Sequence, residues 1–217
     1  MNVLLFGPPG SGKGTQAQAL AASLSVPHVS TGDIFRRHLR ESTPLGQLAR
    51  SYMDRGALVP DQVTCDLVAT RLVEPDAVGG VLYDGFPRSV PQLEWLVGFL
   101  EAREQRVDAV VNLSVRSELL LARISGRRSC PGCGASYHMT TNPTQVDGVC
   151  DRCGAAVVQR KDDAEDVVRD RLATYERDTA PVLGAVVSTG TIPVYDIDGV
   201  GMVDEVRARI FAALRLG

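Results

Sequence analysis

The segment GPPGSGKGT, residues 7–15, lies between the apolar run NVLLF and the helix-forming run KGTQAQALAASL. A short apolar run that ends at glycine predicts a buried strand, and an Ala-, Leu- and Gln-rich run predicts a helix. Glycines let backbone N–H groups approach an anion, and the N-terminus of the following helix attracts negative charge. The pattern therefore predicts a phosphate-binding loop (P-loop) that comprises Gly10, Ser11, Gly12, Lys13, Gly14 and Thr15.

Gly14 departs from the usual P-loop pattern, in which a Ser or Thr follows the lysine. A hydroxyl at that position binds Mg²⁺ directly. We therefore expect phosphate oxygens and waters to hold Mg²⁺ here, with Asp84 orienting some of the waters. Thr15 would contact phosphate, and the bare Gly14 favours kinases that join two nucleotides over GTPases and motor ATPases.

The remaining pattern alternates strands and helices, which is typical of an α/β fold with a parallel sheet covered on both faces. Further strands are predicted at residues 27–30, 81–84, 109–113 and 192–197. Further helices are predicted at 32–41, 45–55, 62–73, 89–105, 117–127 and 203–214, and one begins near Ala164 with Asp162 as its N-cap.

The size and composition fit one domain that carries insertions. The chain has 217 residues, of which 44% are hydrophobic, and a net charge of −3. This charge gives no sign of a nucleic-acid or membrane partner, and neither a targeting segment nor a membrane span is evident. We expect a cytoplasmic protein.

Four cysteines form the pattern C-x2-C-x16-C-x2-C inside a glycine-rich stretch. Two such pairs can bring four thiolates into a tetrahedron, which predicts a structural Zn²⁺ site. Iron is the competing metal, and two disulfides or four reduced thiols are the alternatives without metal. The fifth cysteine, Cys65, lies in a helical pattern and is predicted to be a core residue. The four predicted ligands are Cys130, Cys133, Cys150 and Cys153.

The sequence DGFPR follows an apolar strand, so Asp84 and Arg88 are predicted at the carboxyl edge of the sheet, where α/β proteins bind ligands. The alternative is an Asp-Gly turn beside a surface arginine. Arginine is so common in this chain that Arg88 alone decides little. Lys13 is more informative, because Lys13 and Lys161 are the only lysines.

Several motifs in one order make the chain similar to adenylate kinases of the bacterial, zinc-bearing type. The motifs are GPPGSGKGTQA, HVSTGDIFR, GALVPD, YDGFPRSVPQ, ARISGRR, the four cysteines, QRKDD and VRDRL. The resemblance implies a P-loop three-layer fold with a five-stranded parallel sheet, a helical AMP-binding insertion and a small zinc-stapled lid. It implies a core of residues 1–29, 60–126 and 165–217, an insertion at 30–59 and a lid at 127–164.

The resemblance also implies reversible transfer of a phosphoryl group from Mg·ATP to AMP, with ATP, AMP and ADP as the ligands of a monomer. The implied ATP site adds Arg123, Arg127, Ser136, Tyr137 and Gly201 to the P-loop. The implied AMP site comprises Thr31, Arg36, Ala57, Leu58, Val59, Gly85, Phe86, Pro87, Arg88, Gln92, Arg160 and Arg171. The implied catalytic cations are Lys13, Arg88, Arg127, Arg160 and Arg171.

Three alternative functions remain open at this point. One is a UMP/CMP kinase, against which Thr31 and Gln92 argue. Another is a zinc-ribbon nucleic-acid-binding NTPase, although the basic residues around the cysteine module are not interleaved with the aromatic side chains that base stacking needs. The third is a nucleotide sensor without catalytic activity.

Overall fold

The computed structural model describes residues 1–216, which contain seven strands and nine α-helices. The strands are β1 (Val3–Phe6), β2 (His28–Ser30), β3 (Leu82–Asp84), β4 (Ala109–Ser114), β5 (Arg127–Ser129), β6 (Ser136–His138) and β7 (Val194–Asp198). The helices are α1 (Lys13–Leu24), α2 (Thr31–Arg40), α3 (Pro44–Met53), α4 (Asp61–Leu72), α5 (Val90–Glu101), α6 (Ser117–Ser125), α7 (Glu165–Thr174), α8 (Ala180–Thr189) and α9 (Val203–Leu214).

Five strands form the central sheet in the order β2-β3-β1-β4-β7, and every neighbouring pair is parallel. Successive side chains of a strand point to opposite faces of the sheet. Leu4 and Phe6 therefore pack with α4, α5 and α8, whereas Val3 and Leu5 pack with α1 and α9. The three-layer α/β fold predicted from the sequence is confirmed.

The segment between β2 and α4 forms a helical hairpin with a small core of its own. Phe35, Ala49 and Val59 are buried there, and Leu67 of α4 packs against them. Gly56 follows α3 with a φ of 70°. This left-handed conformation suits glycine, and the chain turns there towards α4.

The glycine-rich stretch after α6 forms a small module around the antiparallel pair β5-β6. Its buried centre contains Cys130, Cys150 and Tyr137. A side-chain hydrogen bond joins the module to α1: Arg152 Nη2 donates to Gln18 Oε1 at 2.5 Å. The module thus folds over the helix that follows the P-loop.

Several predicted helices end before their predicted last residues, including α3, which ends at Met53 instead of Arg55. Helix α5 ends at Glu101 instead of Gln105, because Glu104 adopts a left-handed φ of 56° and the Gln105 N–H bonds back to the Leu100 carbonyl at 2.9 Å. Helix α6 ends at Ser125, because the next residues enter β5.

Asp162 is not an N-cap. Helix α7 begins at Glu165 with Ala164 as its N-cap, and no side chain caps it. The Asp162 carboxylate instead pairs with Arg171 at 3.0 Å, since the residues before α7 form a 3₁₀ turn that directs it there.

Cys65 is buried in α4 among the core side chains, as predicted. Within residues 1–216, no helix has the length and apolar character needed to cross a membrane.

Candidate active site

One cleft of about 930 Å³ runs along the carboxyl edge of the sheet. Its walls come from the P-loop, the strand ends, the helical hairpin and the cysteine module. This is the edge at which parallel α/β sheets bind ligands. The cleft is large enough for two mononucleotides placed end to end, because ordinary ligand pockets measure ~300–1,000 Å³.

The P-loop connects β1 to α1 through glycines in conformations that other residues disfavour. Gly10 and Gly12 have φ values of 83° and 102°, and Gly12 is the N-cap of α1 without a side-chain cap. A Cβ on Gly10 would lie 2.8 Å from Ile124 Cγ1. The loop therefore needs glycine there, and it leaves the first N–H groups of α1 available for an anion.

Lys13 lies within the loop and bonds to its carbonyls. Its Nζ donates to the Gly7 oxygen at 2.5 Å and to the Pro8 oxygen at 3.0 Å. Burial lowers the pKa of Lys13 from 10.5 to about 8, while the charge of Asp84 opposes that shift. Lys13 is thus largely charged at neutral pH, and the loop carbonyls hold its ammonium within the P-loop.

Asp84 lies at the end of β3 and faces His28 at the end of the neighbouring β2. Its Oδ2 is 3.3 Å from His28 Nε2. Burial opposes ionisation of Asp84, but the His28 hydrogen bond and the charge of Lys13 outweigh it and lower the pKa. A Cβ on Gly14 would lie 3.9 Å from Asp84 Oδ2, so Asp84 and the P-loop border the same part of the cleft.

Of the arginines that line the cleft together with Lys13, six are predicted site residues: Arg36, Arg88, Arg123, Arg127, Arg160 and Arg171. Burial, followed by the charge of Arg171, lowers the pKa of Arg88 to about 10. Burial and the charges of Arg36 and Arg127 lower the pKa of Arg160 to about 9. Burial and neighbouring cations also lower the pKa of Arg171, although the charge of Asp162 opposes that shift. The cleft is therefore built for a multiply charged anion.

Acidic side chains hold several of these arginines in place. Asp163 has a fully buried side chain and pairs with both Arg127 and Arg171. Arg127 Nε donates to its Oδ2 at 2.8 Å, and Arg171 Nη1 donates to its Oδ1 at 3.1 Å. On α2, Arg36 donates to Asp33 at 2.6 Å. The acids thus fix where the guanidinium groups lie before any ligand binds.

The four predicted metal ligands are brought together. The Sγ atoms of Cys130, Cys133, Cys150 and Cys153 all lie within 4.8 Å of one another. Tetrahedral coordination with Zn–S bonds of about 2.3 Å places sulfurs about 3.8 Å apart. The chemistry and the spacing of this cluster both fit Zn²⁺.

Comparison with known proteins adds independent evidence. Residues 5–190 match the model of a protein family described as adenylate kinase. The chain belongs to the adenylate kinase family.

Curated adenylate kinases are similar over nearly the whole chain. The adenylate kinase of Caldanaerobacter subterraneus subsp. tengcongensis is 50% identical over 214 residues, which cover 99% of this chain and 96% of the relative. That of Clostridium perfringens strain SM101 is 49% identical, over 95% of this chain and 94% of the relative. That of Clostridium kluyveri is 47% identical, over 99% and 98%.

Most predicted site residues of this adenylate kinase family member line the cleft. These are all the predicted ATP-site residues, Asp84, and Arg36, Leu58, Gly85, Phe86, Pro87, Arg88, Arg160 and Arg171 of the predicted AMP site. Tyr137 reaches the cleft, but its hydroxyl contacts Cys150 Sγ at 3.3 Å and accepts from the Asp151 N–H at 2.9 Å. Its polar end therefore belongs to the cysteine module.

Thr31, Ala57, Val59 and Gln92 are not among the residues that line the cleft. Thr31 and Gln92 are only 2% and 1% exposed, and their polar atoms bond to other parts of the protein. They lie behind the wall of the cleft, next to residues that do line it.

Sequence reasoning missed the partners of the predicted residues. His28, Asp33 and Asp163 were not identified as site residues, although each lies within one of the motifs that carry the family resemblance. The sequence signal was present in HVSTGD and QRKDD, where acids or a histidine accompany the arginines. The pairings themselves join residues up to 56 positions apart, which no local pattern reveals.

Proposed function

We propose that this chain catalyses the reversible reaction of Mg·ATP with AMP to give two molecules of ADP. The observation that carries the proposal is the ring of Lys13 and six arginines around one cleft, in a member of the adenylate kinase family. Phosphoryl transfer requires in-line positioning of donor and acceptor and neutralisation of charge on the transferring group. A ring of fixed cations supplies both.

The P-loop end of the cleft is proposed to hold ATP. Gly10–Thr15 offer backbone N–H groups to its phosphates, and Lys13 exchanges the carbonyls of Gly7 and Pro8 for phosphate oxygens. Arg123 and Arg127 contact the base and the phosphates, and Ser136, Tyr137 and Gly201 complete the donor site. Mg²⁺ bound with ATP supplies further charge neutralisation, and Asp84 is suited to orient its waters because it is ionised and borders the P-loop.

The hairpin end of the cleft is proposed to hold AMP. Arg36 and Arg88 bind its phosphate, and Gly85–Pro87 and Leu58 border the nucleotide. Thr31, Ala57, Val59 and Gln92 complete this proposed acceptor site. Arg160 and Arg171 bind the transferring group from the lid side. A general base is unnecessary, because the attacking AMP phosphate is already an anion at neutral pH.

Residues 30–59 and 127–164 are proposed to act as moving parts over a core of 1–29, 60–126 and 165–217. Closure over both nucleotides would keep water from accepting the phosphoryl group, and reopening would limit turnover. The four cysteines are proposed to bind structural Zn²⁺, which uses all four ligand positions and holds the module folded.

A coupled assay of ATP with AMP tests the proposal. We expect rapid ADP formation with AMP and much slower reactions with CMP, UMP and GMP at equal concentration. Arg88→Gln should lower kcat/KM at least about a hundredfold, as for loss of one charge-stabilising group. Arg103→Gln is the matched control, since Arg103 lies outside the cleft over the Phe99 ring, and its activity should be unchanged. A faster rate with CMP, or equal effects of the two variants, would contradict the proposal.

A further inference from the structure

The Gln92 side-chain amide is held at both ends by protein groups. Its Oε1 accepts from the backbone N–H of Arg88 at 2.8 Å. Its Nε2 donates to Asp61 Oδ1, the first residue of α4, at 2.7 Å. Gln92 is 1% exposed, so water offers no alternative partners to these two groups.

These two partners fix which end of the amide is oxygen and which is nitrogen. A backbone N–H can only donate and a carboxylate can only accept. A flipped amide would place its NH₂ against the Arg88 N–H and its oxygen against the Asp61 carboxylate. Both contacts would be repulsive in a buried place, where an unsatisfied polar group costs most. Gln92 therefore retains one N–H and one oxygen lone pair in a fixed arrangement.

Thr31 is fixed in a related way. Its hydroxyl donates to the Gly85 carbonyl at 2.7 Å, and Gly85 lines the cleft. With that proton used, the Thr31 oxygen can only accept a further hydrogen bond. Thr31 and Gln92 are thus each bonded directly to a residue that lines the cleft, Gly85 and Arg88, and each keeps capacity to accept from a ligand that reaches behind that wall.

Adenine carries an amino donor at C6 beside ring nitrogens that accept, so it matches a Gln amide in this orientation. Hypoxanthine and guanine carry an oxygen at C6, and they would need the opposite orientation. A glutamine with no fixed partners could rotate to suit either kind of base. The two partners that oppose rotation therefore favour adenine, and Asp61 is the one that acts through its side chain.

We propose that Asp61 is a positioning residue that makes the acceptor site select adenine, because it holds the Gln92 amide in the orientation that fits the C6 amino group. The inference rests on the proposed function, in which Gln92 borders the AMP base. Asp61 does not touch the substrate; it acts through Gln92.

The variant Asp61→Asn tests this directly, because asparagine keeps the size and can pair with either end of the Gln92 amide, which leaves only the Arg88 N–H to oppose a flip. Steady-state rates are measured with AMP and with IMP, which differs from AMP only in its hypoxanthine base, and IMP is also tested as a competitive inhibitor against AMP. We expect the preference for AMP over IMP to fall about tenfold, since a charged partner is replaced by a neutral one. The change should lie in the KM for AMP and the inhibition constant of IMP, with kcat and the KM for ATP nearly unchanged.

Asp66→Asn is the matched control on the same helix. Asp66 also accepts from a glutamine, Gln62, at 2.8 Å, but this pair is exposed on the surface. The control should leave the AMP preference unchanged, and Asp61→Glu should restore part of it. An unchanged AMP preference in Asp61→Asn, with wild-type protein active on AMP, would overturn the inference. Failure of the wild-type protein to convert AMP would instead refute the proposed function.

Discussion

Asp163 is the side chain whose neutralisation we expect to destabilise the protein most. Its carboxylate has no exposed surface and pairs with Arg127 and Arg171, whose side chains are 18% and 20% exposed. In Asp163→Asn, an amide N–H would face a guanidinium N–H. Arg127 would lose its carboxylate partner, and Arg171 would keep only Asp162. Breaking a buried ion pair from one side costs about 3–5 kcal/mol.

That cost is large compared with the total stability of a domain, which is about 5–15 kcal/mol. For a chain of this size, each kcal/mol shifts the melting temperature by about 2–4 °C. Asp163→Asn should therefore lower the melting temperature by about 6–20 °C. Differential scanning calorimetry of the ligand-free protein, at neutral pH and moderate salt, measures the shift.

Glu165→Gln provides the control for loss of an acid from an ion pair. Glu165 pairs with Arg169 at 2.7 Å, but both side chains are mainly exposed, at 75% and 64%. Such a pair contributes about 0–1 kcal/mol because solvent and salt screen it. A melting temperature of Asp163→Asn that is no lower than that of the control would refute the reasoning. It would show that the two arginines find other partners when the carboxylate is lost.

Three further predictions concern the P-loop and the cysteine module. Lys13→Met should abolish turnover and yet raise the melting temperature at neutral pH, because the folded-state pKa of about 8 lies below the unfolded value of 10.5. Below about pH 8, the charge on Lys13 destabilises the wild-type protein by its full amount. The higher melting temperature of Lys13→Met should therefore approach that of wild type as pH rises towards 10.5. A variant that melts lower than wild type at pH 7 would contradict this. Cys130→Ser should lower the melting temperature measured by calorimetry and leave the rate per folded molecule, measured with active-site titration, nearly unchanged. An equally stable but inactive variant would indicate a catalytic metal. Gly14→Ser has room for its side chain beside Asp84, and a Mg²⁺ titration of its rate should differ from wild type; identical curves would mean that the missing hydroxyl has no role.

The sequence predicted the elements whose signals are local. Helix α1 and helix α9 occupy the predicted residues, because glycine loops precede both and the apolar pattern continues to their ends. The five strands of the central sheet were also predicted, and the clearest signals are the short apolar runs of β1 and β4 next to turns. These signals need no knowledge of distant parts of the chain.

Predictions failed where a distant partner outweighs the local signal. Asp162 has the type and spacing of an N-cap, with Glu165 three residues later. Its carboxylate is nevertheless drawn to Arg171, and the backbone forms a 3₁₀ turn before α7. A cap hydrogen bond contributes about 1 kcal/mol, whereas a partly buried pair with a guanidinium can contribute more. The same limit explains why Asp61 was not connected with Gln92, which lies 31 residues away.

The arginines of the cleft show how stability and function oppose each other in this fold. Burial lowers the pKa of Arg88 and of Arg160, which means that their charges make the folded state less stable at neutral pH. Asp162 and Asp163 offset part of this repulsion, but they lie on the lid side of the cleft. Among the contacts described within residues 1–216, the Arg88 guanidinium makes one hydrogen bond, from Nε to the Gly85 carbonyl at 2.8 Å, and no ion pair, although the charges of Asp84 and Asp162 act on it. A bound phosphate can therefore stabilise the Arg88 side of the cleft more than the side where the carboxylates already lie. The Arg88 guanidinium, which has no carboxylate partner in the described part of the chain, thus lies where the proposed acceptor phosphate would bind.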